Sequence, residues 1–158
     1  MNKLLITLIV LVCAIYIKFY IRPNQSFHII QLGIGQLKPS HLLEKSPIVI
    51  DDRIVDPLSV CTGSSAFRYL YITMKSDTES TPFEIVRNHY KYTILYALDQ
   101  GVTLIHLYHP KNKSNTFVEI MLYTNQCIIV PMSWKYATMV KCRVVNLHDI
   151  SSMVLSVF

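Results

Sequence analysis

The chain has 158 residues, of which 51% are hydrophobic and 16% charged, and its formal net charge at pH 7 is +5. This composition excludes a disordered chain and leaves enough apolar material for one domain with a buried core. A nucleic-acid partner is not expected, because Lys3, Lys18 and Arg22 supply three of the positive charges and the rest of the sequence has no basic cluster.

The first predicted element is an apolar segment from Leu4 to Ile21, whose length is typical of a single transmembrane helix. Eighteen helical residues span roughly 27 Å, close to the hydrocarbon core of a bilayer at about 30 Å. Lys18 lies near the end of the segment, where its amine can reach the headgroups, and Tyr20 suits the membrane interface. The apolar residues expected to contact lipid include Leu4, Ile9, Leu11, Ile15 and Ile17.

The sequence therefore predicts an anchor over residues 1–22, a linker over 23–26 and a domain over 27–158, with the lipid bilayer as one partner. Two alternatives are a cleaved signal peptide, cut after residues 12–14, and a buried core helix. The apolar run continues past Ala14, which favours a retained anchor. The two flanks carry similar positive charge, so the orientation stays open.

Short apolar runs separated by turn residues fill the rest of the chain. Strands are predicted over residues 27–32, 48–50, 66–74, 83–98 (one long or two short), 102–108, 116–123, 127–130, 134–138 and 139–147. Short helices are predicted over 41–45 and 56–62, a solvent-exposed loop over 75–82, and a final strand or helix over 150–158. This pattern predicts a mainly β fold, a single antiparallel sandwich or barrel, with a jelly roll as the most economical form.

Outside these elements, the sequence offers little catalytic chemistry. Asp51, Asp52 and Asp56 form an acidic cluster that is more often a set of solvated capping residues than a cation site. No phosphate-binding glycine loop or hydrolase motif is present. Ten tyrosines suit an interface, since tyrosine combines contact area with a polar tip.

One segment resembles a known family. The sequence IIVPMSWKY, residues 128–136, is similar to a strand-and-turn motif of cupin and JmjC-like hydroxylases, with a tyrosine where that family has a histidine. Upstream, His106-Leu107-Tyr108 resembles the family's His-x-His or His-x-Asp pair, and residues 46–50 resemble its opening strand. The resemblance implies a degenerate cupin-like motif, made of His106, Tyr108, Pro131, Trp134 and Tyr136.

The departures from this motif bear on function. Such hydroxylases hold Fe(II) with two histidines and one carboxylate. Of these ligands only His106 is present, so we expect no metal, no cofactor and no catalysis. The alternative is an Fe(II)-dependent hydroxylase with an atypical site made of His106, His109 and Glu119.

A second resemblance covers more of the chain. The N-terminal apolar segment, the sequence PIVIDDRIVDP (47–57) and the degenerate cupin-like end resemble short proteins of large nucleocytoplasmic DNA viruses. This implies a minor capsid protein that links the inner membrane to the capsid shell and contacts neighbouring virion or membrane proteins. We therefore predict a single-pass, non-catalytic structural protein whose oligomeric state stays open. A membrane-tethered, lectin-like barrel with a pocket for a sugar or another ligand is a third alternative.

Overall fold

The computed structural model describes residues 2–16, 27–52, 54, 56, 59–60, 63–98, 101–111, 116–149 and 152. Several predicted features lie outside these residues: Ile17, Lys18 and Tyr20 of the anchor, the linker 23–26, most of the helix 56–62, and the tail 150–158 apart from Ser152.

The N-terminal segment forms one helix, α1 (Asn2–Tyr16), of 15 residues. At about 1.5 Å per residue it measures about 22 Å, roughly 8 Å less than a hydrocarbon core. Within the described ranges, no helix has the length and apolar character needed to cross a membrane. The predicted single-pass membrane localisation is therefore wrong. Leu4, Ile9 and Leu11 lie on α1 and are 79%, 53% and 56% exposed, and Ile15 falls near its end.

After α1, the described part of the chain is mainly strand. The helical elements include a 3-10 turn (Ile34–Gln36), α2 (Pro39–Leu43) and α3 (Ser65–Tyr69). The strands are β1 (Ile30–Leu32), β2 (Ile48–Ile50), β3 (Thr73–Glu79), β4 (Val86–Arg87), β5 (Tyr92–Ala97), β6 (Val102–Tyr108), β7 (Val118–Tyr123), β8 (Cys127–Pro131), β9 (Lys135–Thr138) and β10 (Cys142–His148).

The strands form two sheets. Sheet A has the order β1-β2-β8-β5-β10-β3, and sheet B has the order β4-β9-β6-β7. All neighbouring strands are antiparallel except β1 and β2. Four of these pairs are nested along the sequence: β3 with β10, β4 with β9, β5 with β8, and β6 with β7. The predicted mainly β, antiparallel fold is confirmed.

The central strands of sheet A are buried on both faces, so the domain has three layers. One face packs on sheet B, where Leu95 and Ile128 meet Ile105 and Trp134. The other face packs on the helical residues, which include Phe67. Burial on both faces explains why β5 and β8 read as nearly continuous apolar runs rather than as alternating ones.

The strand predicted over residues 66–74 is wrong except at Thr73 and Met74, where β3 begins. Residues 65–69 form α3, in which the Ser64 side chain accepts a hydrogen bond from the Ala66 amide and caps the helix. Ala66 and Phe67 are buried and Leu70 is half-buried, which is a helical spacing. Tyr71 then adopts a positive φ of 52°, so the helix ends there. Phe67, Tyr69 and Tyr71 alternate along the sequence as side chains on one face of a strand do, which is why the sequence predicted a strand here.

The loop predicted over residues 75–82 is also largely wrong, because residues 73–79 form β3. This strand lies at the edge of sheet A and pairs only with β10. Its polar sequence, TMKSDTE, suits an edge strand that remains in water. Backbone pairing with β10 therefore produces a strand where the side chains alone indicate a loop.

Candidate functional site

The cupin-like motif is divided between two faces of sheet B. His106 of β6 lies opposite Ala137, whereas the next residue, Leu107, lies opposite Tyr136. Because side chains alternate along a strand, His106 and Tyr136 point to opposite faces. The Tyr136 ring packs in the core between the sheets, and His106 lies on the outer face. The two positions that the motif would use for metal ligands do not converge.

His106 and Glu119 do meet on the outer face. The His106 Nε2 atom lies 3.1 Å from the Glu119 Oε2 atom, and the imidazole stacks on Phe117 at a centroid distance of 3.9 Å. His109 instead contacts the Trp134 ring edge-on, with centroids 5.0 Å apart. Throughout the described ranges, no three histidine, cysteine or carboxylate side chains are grouped as metal ligands would be.

The remaining motif residues have structural contacts. Trp134 is fully buried, and its Nε1 donates a hydrogen bond to the carbonyl of Lys45 at 3.2 Å. Pro131 ends β8 opposite Tyr92. Tyr108 lies on the outer face, where its ring centroid is 5.6 Å from the ring centroid of Phe117. Trp134 therefore joins sheet B to the segment that follows α2.

The acidic residues of the sequence also have separate contacts. Asp51 accepts a hydrogen bond from the Gln31 side chain at 2.9 Å, and Asp52 accepts one from the backbone amide of Ile34. Asp56 forms an ion pair with Arg143, whose Nη1 lies 3.2 Å away. The three carboxylates thus serve local turns and one ion pair.

A cavity of about 260 Å³ opens between the two sheets, where the two-residue β4 leaves part of the seven-residue β3 uncovered. We call this cavity the polar cleft. Its lining is rich in hydroxyl and amide groups, chiefly those of Ser80, Asn88, Thr93, Tyr136, Thr138 and Asn146. The core between the sheets is otherwise apolar, so the cleft is a polar interruption of that core.

Hydrogen bonds fix the floor of the polar cleft. The Thr93 hydroxyl lies 2.9 Å from the Asn88 Oδ1 and 2.8 Å from the Asn146 Oδ1. Asn88 also donates to the Val130 carbonyl at 2.8 Å, and Asn146 donates to the Ser76 hydroxyl at 3.0 Å. These bonds connect β3, β5, β8 and β10, so the amide groups are held in place before any ligand arrives.

Tyr136 forms part of the cleft wall. Its side chain is 5% exposed, and its hydroxyl has no hydrogen-bond partner within the part of the chain that the structure describes. Burial raises the pKa of Tyr136 to about 12, so the hydroxyl stays protonated and neutral. Beside it, the hydroxyls of Ser80 and Thr138 lie 2.8 Å apart.

Sequence reasoning singled out Tyr136 only as a lost metal ligand, and it missed Thr93 and Asn146. The available signal was a small polar residue inside a buried strand: Thr93 in YTILYA and Asn146 in CRVVNLH. Such residues need hydrogen-bond partners in a core, which makes them candidates for a polar network.

The outer face of sheet B carries an apolar surface that we call the outer patch, made of Val102, Leu104, Phe117, Met121 and Tyr123. Val102 lies opposite Tyr123, and Leu104 lies opposite Met121, so these side chains are cross-strand neighbours. Met121 and Tyr123 of β7 are 58% and 57% exposed. The outer patch ends at β7, which is an edge strand of sheet B.

The edge strands of the two described sheets differ in how well they are protected from pairing with a further strand. β1 has three residues and β4 has two, and such short edges offer little to pair with. β3 carries Lys75, Asp77 and Glu79 and faces a register shift at Asn146/Leu147 in β10. β7 has six residues, VEIMLY, with Glu119 as its one charged side chain. Charged side chains, an irregular register and a short length commonly protect an edge strand from pairing with another chain. β7 has little of any of these three protections.

Comparison of the chain with protein-family models, curated protein sequences and solved structures finds no match. The resemblances to cupin-like hydroxylases and to proteins of large DNA viruses therefore stay predictions.

Proposed function

We propose that strands β3 to β10 form a jelly roll. Support comes from the four nested antiparallel pairs, in which the first of these eight strands pairs with the last and the two middle strands pair with each other. Successive pairs alternate between sheet A and sheet B, as they do when a long hairpin wraps into a two-sheet jelly roll. Strands β1 and β2 extend sheet A beside β8.

We further propose that the chain is a non-catalytic structural protein that associates with a second copy of itself by pairing of β7 with β7. The observation that carries this proposal is the difference between β7 and the other sheet edges. An edge strand presents unpaired backbone N–H and C=O groups, and an apolar one is a template for another strand.

A second copy is the occupant that β7 fits best, because antiparallel pairing about a two-fold axis is self-complementary. An axis through Ile120 would place Glu119 opposite Met121 of the partner subunit, and Phe117 opposite Tyr123 of the partner subunit. No like charges would then face each other across the contact. The outer patches of the two copies would form one continuous apolar surface.

The resemblance to short proteins of large DNA viruses agrees with this proposal, because a capsid component acts through contacts with its neighbours. A viral origin and a minor capsid role stay proposals on that resemblance alone. The proposed association needs no membrane span, since it uses only β7 and the outer patch.

The test is sedimentation equilibrium of the full chain and of two matched variants. Met121→Lys puts a charge on β7, whereas Met74→Lys puts the same charge on a comparably exposed methionine of β3. We expect Met121→Lys to weaken self-association about tenfold or more, and Met74→Lys to leave it unchanged. Association through α1 would respond equally to both variants. Equal behaviour of the two variants would therefore exclude the β7 contact.

A further inference from the structure

The polar cleft contains a hydroxyl group that is available to a ligand. The Tyr136 side chain is 5% exposed and lines the cleft, and its hydroxyl makes no hydrogen bond among the described residues. Within the described ranges, the buried side-chain atom without a partner is His109 Nε2, so the Tyr136 hydroxyl keeps some access from the cleft. A molecule bound in the cleft can therefore form a hydrogen bond with this hydroxyl.

Further polar groups line the cleft beside Tyr136. The Thr93 hydroxyl lies within hydrogen-bonding distance of Asn88 Oδ1 and Asn146 Oδ1, and Asn88 Oδ1 also accepts from the Tyr90 amide at 2.8 Å. The Ser80 hydroxyl pairs with the Thr138 hydroxyl and accepts from the Cys142 amide at 2.9 Å. Amide and hydroxyl oxygens have two lone pairs each, so Asn146 Oδ1 and the Thr138 hydroxyl can each form a second hydrogen bond.

The charge of the cleft restricts its ligand. The interior groups are neutral hydroxyls and amides, and the pKa of Tyr136, raised by burial to about 12, keeps its hydroxyl neutral at ordinary pH. At the rim lie two carboxylates, Glu79 and Glu84, and one guanidinium, Arg87. Glu79 forms an ion pair with Lys141 at 3.2 Å. Arg87 and Lys141 balance the two carboxylates, and among the described residues no cation lines the interior, so the cleft favours a neutral ligand over a phosphate or a carboxylate.

The size and shape of the polar cleft further restrict the class of ligand that it can bind. The cleft volume of about 260 Å³ lies just below the range of about 300–1,000 Å³ that is usual for small-molecule sites. The rings of Tyr90 and Tyr136 offer apolar faces beside the hydroxyl and amide groups. Many neutral donors and acceptors next to an aromatic face match a ring that carries several hydroxyls. We propose that the polar cleft binds a single neutral saccharide unit, either free or at the end of a glycan.

This proposal is independent of β7 pairing, because Tyr136 and Met121 lie on opposite faces of sheet B. The experiment is a titration of the ¹⁵N-labelled full chain with glucose, galactose, mannose and N-acetylglucosamine, each to about 50 mM, which covers the millimolar range of weak ligands. We expect at least one sugar to cause saturable shifts in the amide resonances of Thr93, Tyr136 and Asn146.

Three variants locate the site. Tyr136→Phe removes only the hydroxyl, and we expect it to weaken sugar binding about threefold to tenfold. The matched control Tyr69→Phe, at an exposed position of α3, should bind as the parent does. Thr78→Trp places a large side chain at the open side of the cleft, on an exposed strand position, and should abolish binding.

Three results would overturn the proposal. The first is the absence of saturable shifts with all four sugars. The second is equal affinity of the parent and Tyr136→Phe in folded samples. The third is a response of the same resonances to inorganic phosphate when none of the sugars produces one.

Discussion

His106 and Tyr136 lie on the paired strands β6 and β9, and His106 precedes Leu107, the residue opposite Tyr136. The His106 and Tyr136 side chains therefore point to opposite faces of sheet B. The histidine stacks on Phe117 at the surface, whereas the tyrosine lies in the core and lines the polar cleft. One sequence motif therefore serves two separate surfaces. This arrangement underlies both proposals, because the outer face supplies an association surface and the inner face supplies a ligand site.

The unpartnered Tyr136 hydroxyl leads to a stability prediction. We expect Tyr136→Phe to change the free energy of unfolding by no more than about 0.5 kcal/mol, because the Tyr136 hydroxyl lines the cleft and makes no hydrogen bond within the described ranges. The matched variant is Tyr92→Phe, since the Tyr92 side chain is also buried but its hydroxyl donates to the Leu42 carbonyl at 2.8 Å. That variant should lose about 1 kcal/mol. Urea unfolding measures both, and an equal loss in the two variants would contradict the prediction.

Lys91 and Asp149 form a largely buried ion pair, with 3.2 Å between Nζ and Oδ2. Burial lowers the pKa of Lys91, and the attraction of Asp149 offsets part of that effect. Removing one partner leaves the other charge buried, so Lys91→Met and Asp149→Asn should each cost about 3 kcal/mol or more. The double variant should cost less than the sum of the two. A double-mutant cycle in urea checks this, and strict additivity would show that the two side chains are not coupled.

Asp77 gives the fold a dependence on acid pH. The Arg143 guanidinium donates hydrogen bonds to both Asp77 oxygens, at 3.0 Å and 2.6 Å, and these bonds lower the pKa of Asp77. The folded chain therefore holds the Asp77 proton less tightly than the unfolded chain, whose pKa is about 3.9. The resulting stability is present above about pH 4 and is lost as pH falls through the folded pKa.

We expect Asp77→Asn to lower stability at pH 7 and to flatten the decrease in stability as the pH falls below about 4. Urea unfolding at a series of pH values provides the measurement. Asp51→Asn is a suitable control, because Asp51 accepts from the neutral Gln31 side chain. If Asp77→Asn and the parent lost stability in parallel on acidification, the Asp77–Arg143 ion pair would not be the source of the acid-dependent loss of stability.

The sequence predicted the sheets better than the sites. β6, β7 and β8 lie within one or two residues of their predicted bounds, because their apolar patterns leave a clear strand signal. The errors have local causes. In α3 the alternating aromatic residues concealed a helical spacing, and in β3 the polar side chains gave no sign of the backbone pairing with β10.

The polar cleft could not be predicted because its residues are distant in sequence. Thr93 and Asn146 are 53 positions apart and meet only because β5 pairs with β10. The separation of His106 from Tyr136 depends on the register between β6 and β9, which sequence alone does not fix. The helix α1 shows the same limit. Its composition predicted a transmembrane helix, whereas the described helix is about 22 Å long.

The most direct test of the proposed β7 association is hydrogen–deuterium exchange of the full chain at increasing protein concentration. We expect the peptide covering residues 118–123 to become protected as concentration rises, both in the parent and in Met74→Lys. In Met121→Lys, exchange of this peptide should stay fast at every concentration. Exchange of residues 118–123 that is independent of concentration in the parent, or protection that persists in Met121→Lys, would contradict the account.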